Sequence, residues 1–216
     1  MLFRSVSSFN RALGSIEQDK RGYQSANPNS SAVGKYQHLW NLHKDQIAKI
    51  TGVTNVQDYL NNPQAQEKYQ EHLEGQYKSN VPYLRKNYPQ VTNNVNDELL
   101  MALQHYLGLG DAKVYLDTLN KTKSYEAAQQ AVNDSIEERT GKPAPVNRDI
   151  SEYLSNFLYN LESPTAVQQP KTVAPTTTPK TASIPKVNPN PTLTPSPYSA
   201  PVANKPQVFS QPKLNE

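Results

Sequence analysis

The stretch SIEQDKRGYQSANPNSSAVGKYQHLW, residues 15–40, begins where one helical pattern ends and finishes where the next one starts. Upstream of it, apolar residues recur at steps of three and four from Phe3 to Ile16, which predicts a first helix ending near Gln18. Glu17 lies beside the edge of that apolar stripe. The rest of the stretch is rich in Gly, Asn, Pro and Ser, so we expect a long polar loop directly after this glutamate.

Helical spacing resumes after this loop. Leu39, Leu42 and Ile47 form the apolar face of a predicted second helix. Asn62 followed by Pro63 is typical of a helix start, because the asparagine side chain caps the first turn and proline fits within it. These signals predict a second and a third helix.

Further caps and glycines mark the later helices. Asn96 predicts the start of a fourth helix, which Gly108 and Gly110 are expected to end. Asp111 is then expected to cap a short successor. The predicted caps of the last two helices are Ser124 and Asp149, and their predicted ends are Gly141 and Leu161.

The folded part of the chain is predicted to be helical throughout. No window shows the sustained apolar and polar alternation of a β-strand, and β-branched residues are sparse before residue 163. We therefore predict an all-α single domain of seven or eight helices over residues 1–162, with one core and no internal repeat.

Composition changes sharply at Ser163. Residues 163–216 hold 12 of the 18 prolines, many Thr, Ser, Asn and Gln, and no glycine. Such a segment buries too little apolar surface to offset the entropy of ordering, and it favours extended polyproline-II conformations. We predict a proline-rich extended tail that tethers or docks the domain.

Charge and composition exclude several kinds of site. The domain carries 17 Lys+Arg against 18 Asp+Glu, so the net charge of +3 belongs to the tail, and no specific nucleic-acid recognition is expected. The chain has no cysteine, and its four histidines lack metal-ligand spacing, so we expect neither a metal nor a cofactor. No apolar run approaches about 18 residues and the N-terminus lacks the apolar region of a signal peptide, so neither a membrane span nor secretory export is expected.

Two segments of the chain resemble one enzyme superfamily. The first segment contains Glu17 and, after the polar loop, Gly34-Lys35-Tyr36-Gln37, which is a G-x-x-Q element. Farther along, LLMALQHYLGLGDAKVYL, residues 99–116, is similar to the pattern A-x-x-x-Y-N-x-G-x-G-x-V, with Ala102 and Tyr106 in register. These elements resemble the lytic transglycosylase and goose-type lysozyme superfamily. The loop NPNSSAVGKYQ, residues 27–37, is similar to versions of this domain in bacteriophage virion proteins.

The resemblance covers roughly residues 5–120 and implies a lysozyme-like fold that cleaves peptidoglycan glycan strands without a cofactor. In this family one glutamate suffices. It protonates the leaving oxygen of the β-1,4 bond between N-acetylmuramic acid and N-acetylglucosamine, then takes a proton from the 6-hydroxyl of the muramic acid, which leaves a 1,6-anhydro end. Glu17 would hold both roles. The residues agree, because a glutamate at the edge of an apolar helix face is suitably placed for desolvation, which would keep it protonated to higher pH. The alternative is a solvated charge at the end of the helix.

Residues that bind the sugar are expected around the same loop. Gly34 is expected to allow close backbone approach or to supply a positive φ, and a plain turn is the alternative. Tyr106 is expected either to hold the acid or to pack in the core. The tyrosines of the loop are candidates for sugar stacking, and the Gln37 amide is a candidate partner of an N-acetyl group. The predicted substrate-binding residues are Gln18, Tyr23, Gly34, Tyr36, Gln37 and Tyr106.

Two positions depart from the family pattern. Gln18 stands where serine usually follows the glutamate, and Leu107 stands where asparagine usually follows the tyrosine. Both changes favour the alternative function, a catalytically weak or inactive lysozyme-fold structural protein of the virion, docked through its tail. Possible second carboxylates, which would instead position a water for hydrolysis, are Asp19, Asp97 and Glu98.

The phage-like loop and the missing signal peptide predict a virion protein that acts at the host cell wall. Its expected partners are peptidoglycan glycan strands and, through residues 163–216, other virion proteins of the tail or portal. Local opening of the wall would serve genome delivery. An ordinary bacterial wall-remodelling enzyme is a third possibility, which the missing signal sequence weakens.

Overall fold

Eight α-helices make up most of residues 6–144 and 149–163, the part of the chain that the computed structural model describes. The prediction of an all-α domain is therefore confirmed for this part. All described residues belong to one compact unit. Phe3 and the predicted tail after Ser163 lie outside the described residues.

The first helix, α1, spans Ser8–Glu17. The Ser7 side chain caps it by accepting a hydrogen bond from an amide of the first turn, which would otherwise lack a partner within the helix. Phe9 and Leu13, on the predicted apolar stripe, are buried. The helix ends one residue before the predicted end, so Glu17 is its last residue.

The loop after α1 contains a small antiparallel hairpin that the sequence did not predict. Strand β1, Ala32–Val33, pairs with β2, His38–Leu39. A short 3₁₀ helix, Gly22–Gln24, precedes the hairpin. Each strand has two residues, too few to show the alternation by which strands are recognised in a sequence. The turn between the strands has positive φ at Gly34 and Gln37.

Four helices follow the hairpin. The predicted cap at Asn62 is confirmed, because its side chain accepts a hydrogen bond from the first turn of the helix that begins at Pro63. The four helices are α2 at Trp40–Thr51, α3 at Val56–Leu60, α4 at Pro63–Asn87 and α5 at Pro89–Thr92.

The apolar face predicted for α2 is wrong at two of its three positions. Ile47 is buried, but Leu42 is 72% exposed and Leu39 is 43% exposed. Both leucines line a cavity rather than the core. Helical spacing alone does not distinguish a core position from a cavity wall, which is why the prediction failed here.

The longest described helix, α6, spans Asp97–Thr122 and is kinked at Gly108, where φ is 74° and ψ is 160°. Asn96 caps its start, as predicted. The predictions that Gly110 ends a helix and that Asp111 caps another are wrong, because the helix resumes after the kink and contains both residues. Only glycine adopts this backbone conformation readily, so Gly108 accounts for the kink.

The last two described helices begin and end close to their predicted positions. Helix α7 spans Tyr125–Thr140 and α8 spans Ile150–Glu162. The side chains of Ser124 and Asp149 accept hydrogen bonds from the first turns, so both caps are confirmed. Gly141 ends α7 in a left-handed conformation.

Helix packing brings three separate parts of the chain together. Helix α6 packs on α4, α7 and α8, while α1 packs on α8. A smaller core cluster is formed by side chains of β1, α2, α3 and α4. The C-terminal end of α1 therefore lies near residues of α6 and α8. None of the described helices combines the length and the apolar character needed to cross a membrane.

Candidate active site

The Glu17 carboxyl lies in a largely enclosed place at the end of α1, with its side chain 18% exposed. Burial raises the pKa of Glu17 from 4.5 to about 7, and a hydrogen bond from Tyr153 partly opposes this rise. The Tyr153 hydroxyl donates that bond to Glu17 Oε1 over 2.8 Å. Near neutral pH the carboxyl is therefore protonated in a large fraction of molecules, as a general acid requires.

Tyr106 packs against Tyr153, the tyrosine that donates to Glu17. The two rings stack with their centroids 3.9 Å apart and an angle of 15° between their planes. Burial and the neighbouring Glu17 raise the pKa of Tyr153 well above its usual value, so its hydroxyl keeps its proton and remains a donor. Tyr106 also packs against the main core cluster, so its position is compatible with both expected roles, holding the acid and packing in the core.

His105 is a further group at the acid that the sequence did not predict. Its Nε2 is 3.7 Å from Glu17 Oε1, and its side chain is 9% exposed. Its Nδ1 is 3.3 Å from the hydroxyl of Tyr77. Burial, and then the proximity of His43, lowers the pKa of His105 to about 4, so the ring is neutral near pH 7. Its place directly before Tyr106 was the one signal that could have indicated it.

A cavity of about 790 Å³ lies beside these residues. Its wall includes Tyr77, His105 and Tyr106, whereas the Glu17 carboxyl lies against His105 and is not itself part of the lining. The rest of the wall is mixed in character and includes Leu39, Leu42, Asn80, Gln104, Asp111 and Arg139. The cavity thus offers apolar surface and several hydrogen-bonding groups next to the buried acid, as binding sites for polar organic ligands do.

A fixed ion pair forms part of the same wall. Arg139 donates two parallel hydrogen bonds to Asp111, each of 2.9 Å. Asp111 is 5% exposed, whereas the Arg139 side chain is 57% exposed. The guanidinium therefore has its position set by the buried carboxylate while much of its surface remains open to solvent.

Gly34 has the positive φ expected of it, with a value of 79°. A Cβ at this position would collide with the side-chain amide of Gln66. The Gln66 Oε1 accepts a hydrogen bond from the Lys35 amide, and its Nε2 donates to the carbonyl of Tyr23. The close approach that Gly34 permits is therefore to α4, and it fixes the loop against that helix.

The two loop tyrosines converge on one carboxylate. The hydroxyls of Tyr23 and Tyr36 donate to Glu67 over 2.5 and 2.7 Å, and Lys35 Nζ lies 2.8 Å from the same group. Tyr36 has no exposed surface. Its predicted role in sugar stacking is therefore wrong, because its ring is part of the core. Tyr23 is half-buried in the same cluster.

The two glutamines proposed for the site serve the local backbone. Gln37 donates from its side-chain amide to the Gly34 carbonyl over 2.8 Å, which closes the hairpin turn. Gln18 is exposed, and its backbone N–H ends α1 by donating to the Gly14 carbonyl. The structure thus brings Glu17 and Tyr106 together, and it assigns Gly34, Tyr36 and Gln37 to the loop that packs beside them.

Two of the candidate second carboxylates are engaged by arginines. Asp19 accepts hydrogen bonds from Arg21, which holds the pKa of that carboxyl well below its usual range. Asp97 accepts from Arg85, and the exposure of its side chain is 52%. Neither pairing directs a carboxylate at Glu17. Within residues 6–144 and 149–163, no group of three or more His, Asp or Glu side chains is arranged to hold a metal ion.

Leu107 packs in the core with 8% of its surface exposed. The position at which the family pattern has asparagine therefore supplies apolar contact here rather than a hydrogen bond.

In comparisons with known proteins, no family model, no curated protein and no solved structure matches the chain.

Proposed function

We propose that the chain is a peptidoglycan-cleaving enzyme of the lytic transglycosylase type, with a lysozyme-like fold and Glu17 as its catalytic residue. One observation carries the proposal: a buried carboxyl whose pKa is about 7 is held by Tyr153 at the end of α1, beside a cavity of about 790 Å³. Glycosidic cleavage needs such an acid, because the leaving oxygen must be protonated as its bond to the sugar breaks.

In the proposed reaction Glu17 gives its proton to the oxygen that links N-acetylmuramic acid to N-acetylglucosamine, and the bond between that oxygen and the anomeric carbon breaks. The Glu17 carboxylate then takes the proton of the muramic acid 6-hydroxyl, whose oxygen bonds to the anomeric carbon. The products are a free 4-hydroxyl and a 1,6-anhydro end, and Glu17 has regained its proton. No second carboxylate is needed, which agrees with the pairing of Asp19 and Asp97 to arginines.

The second candidate is a lysozyme-fold structural protein of a phage virion with little or no activity. The burial of Leu107 favours it, because a leucine cannot replace the hydrogen bonds of an asparagine. Under either proposal the protein would reside in the virion, with residues 163–216 as its contact to other virion proteins. The enzyme would act at the host cell wall.

Purified peptidoglycan digestion tests the assignment. We expect the wild-type protein to release 1,6-anhydro muropeptides, identified by mass spectrometry, and the Glu17→Gln variant to release none. Glu71→Gln, an exposed glutamate of α4, is the matched control and should retain activity. An inactive wild type that binds virion proteins through residues 163–216 would support the structural candidate. Reducing ends in place of anhydro ends would show that water is the nucleophile.

A further inference from the structure

The proposed reaction leaves one buried group without a role. His105 lies 3.7 Å from Glu17 Oε1 through its Nε2, and it also lines the cavity. It therefore contacts both the proposed acid and the space in which a ligand would bind. Tyr153 holds Glu17 from α8, whereas His105 approaches it from α6.

We infer that His105 is a positioning residue for Glu17: it contacts the carboxyl from the cavity side and donates a hydrogen bond to it from Nε2 once the carboxyl has given up its proton. Its part in catalysis rests on the proposed function. The interaction between the two side chains does not, and it can be measured separately.

The direction of this hydrogen bond depends on the tautomer of His105. The Tyr77 hydroxyl lies 3.3 Å from Nδ1, and in the tautomer in which that hydroxyl donates to Nδ1 the ring proton is on Nε2, the nitrogen that faces Glu17. The Tyr77 ring is packed edge-on against Phe9, with centroids 6.4 Å apart. Helices α1 and α4 thus orient the imidazole.

The separation of 3.7 Å between Nε2 and Oε1 is longer than a hydrogen bond. A movement of about 1 Å would bring Nε2 to the distance of a charge-assisted hydrogen bond. Hydrogen bonds of catalytic groups commonly shorten when the ligand binds or when charge develops. His105 is therefore placed to respond to the ionisation of Glu17.

The neutral state of the imidazole matters for this role. The groups that face His105 are Glu17 on α1, the Tyr36 backbone in the hairpin turn, His38 on β2, His43 on α2 and Tyr77 on α4. Burial is the largest influence and keeps the ring uncharged near neutrality. A neutral ring offers a donor without a permanent positive charge, which would lower the pKa of Glu17 and remove the proton that it must donate.

The test is a direct titration of Glu17 in the full chain. The carboxyl signal is followed by carbon-13 NMR and assigned by its loss in Glu17→Gln. We expect a midpoint near pH 7 in the wild type and a midpoint higher by roughly one unit in His105→Leu, because the ionised form loses a donor. His105→Gln keeps an amide donor and should restore most of the wild-type midpoint.

An unchanged midpoint in His105→Leu would overturn the inference. If that variant does not fold, Tyr77→Phe decides instead, since it removes the hydroxyl that orients the ring and should raise the Glu17 midpoint in the same direction. An unchanged Glu17 midpoint in Tyr77→Phe would then reject the positioning role of His105.

Activity and titration separate this inference from the proposed function. If wild-type protein cleaves no peptidoglycan yet its Glu17 midpoint depends on His105, the proposed function fails and the side-chain interaction stands. If the wild type is active, His105→Leu should lower kcat more than it raises KM, and the alkaline limb of the pH profile should move up with the Glu17 midpoint.

Discussion

The hydroxyl of Tyr153 donates a 2.8 Å hydrogen bond to Glu17 across 136 positions of sequence. The bond joins α8 to the end of α1, so the acid is held by a residue that lies outside the segment resembling the lytic transglycosylases. The stacked ring of Tyr106 connects the same tyrosine to α6. Side chains of α8 and α6 thus lie around the acid at the end of α1.

Replacing Tyr153 with phenylalanine should raise the pKa of Glu17 further above 7, because the variant removes the hydrogen bond that favours the ionised carboxyl. The stack on Tyr106 and the fold should be retained. Titration of Glu17 measures the shift, and the alkaline limb of the activity profile should move with it. Tyr159→Phe is the control, because Tyr159 lies on the same helix and is 72% exposed. It should change neither the pKa of Glu17 nor the alkaline limb of the activity profile. A Glu17 midpoint that falls in Tyr153→Phe would contradict the assigned hydrogen bond.

The Glu17→Gln variant should be more stable than the wild type at alkaline pH. The folded protein binds a proton at Glu17 up to about pH 7, whereas the unfolded chain releases it near 4.5, so this group's favourable contribution is lost as pH rises between these values. At pH 8 the variant should gain up to about 3 kcal/mol in the free energy of unfolding, and little at pH 4.

Urea unfolding at the two pH values measures this difference. The exposed control Glu71→Gln should show no such pH dependence. A gain of the same size at both pH values would mean that amide packing, rather than the buried charge, accounts for the effect.

The buried histidines should lower the free energy of unfolding at acid pH, whereas the buried Glu17 lowers it as pH rises. Burial lowers the pKa of His38 to about 3 and that of His105 to about 4, from an ordinary value of 6.5. The unfolded chain binds their protons first, so stability is complete above about pH 6.5 and falls as pH drops toward 4.

A titration of unfolding free energy in the Glu17→Gln background isolates this effect, because the opposing slope from Glu17 is then absent. His38→Gln in that background should flatten part of the acid slope. His38 bonds to Tyr59 and Gln70 through its two ring nitrogens, so a general loss of stability is also expected. A slope unchanged by His38→Gln would show that other groups cause the acid sensitivity.

Gly34→Ala should destabilise the domain by about 2 kcal/mol, since φ is 79° there and the new Cβ would meet the Gln66 amide. Gly75→Ala is a contrasting control, because Gly75 lies within α4 and a Cβ added there would meet open space. That variant should gain about 0.5–1 kcal/mol from helix propensity. Thermal or urea unfolding compares the stability of the two variants. Equal effects of Gly34→Ala and Gly75→Ala would contradict the conclusion that the turn requires glycine at position 34.

Local signals in the sequence predicted the helix starts well. Asn62, Asn96, Ser124 and Asp149 all cap helices, because capping depends on one side chain and the amides of the next turn. The hairpin was missed because its strands are too short to create a pattern. The exposure of Leu42 was missed because it depends on which helices line the cavity.

The candidate site was predictable only in part. Glu17 and Tyr106 belong to motifs that can be read locally. Tyr153 is one of several positions on the apolar stripe of α8, and nothing in that spacing indicates contact with an acid 136 positions away. The burial of Tyr36 likewise depends on the placement of Glu67, which no short motif encodes.

The kink at Gly108 divides α6 into two segments that line the same cavity. His105 and Tyr106 precede the kink and Asp111 follows it, and all three face the same cavity. The backbone torsions of Gly108 thus set the angle between the two segments of α6 that form this part of the wall. A Cβ at this position would meet open space, but a residue other than glycine would be strained at this φ and ψ, so the shape of the wall depends on Gly108 being a glycine.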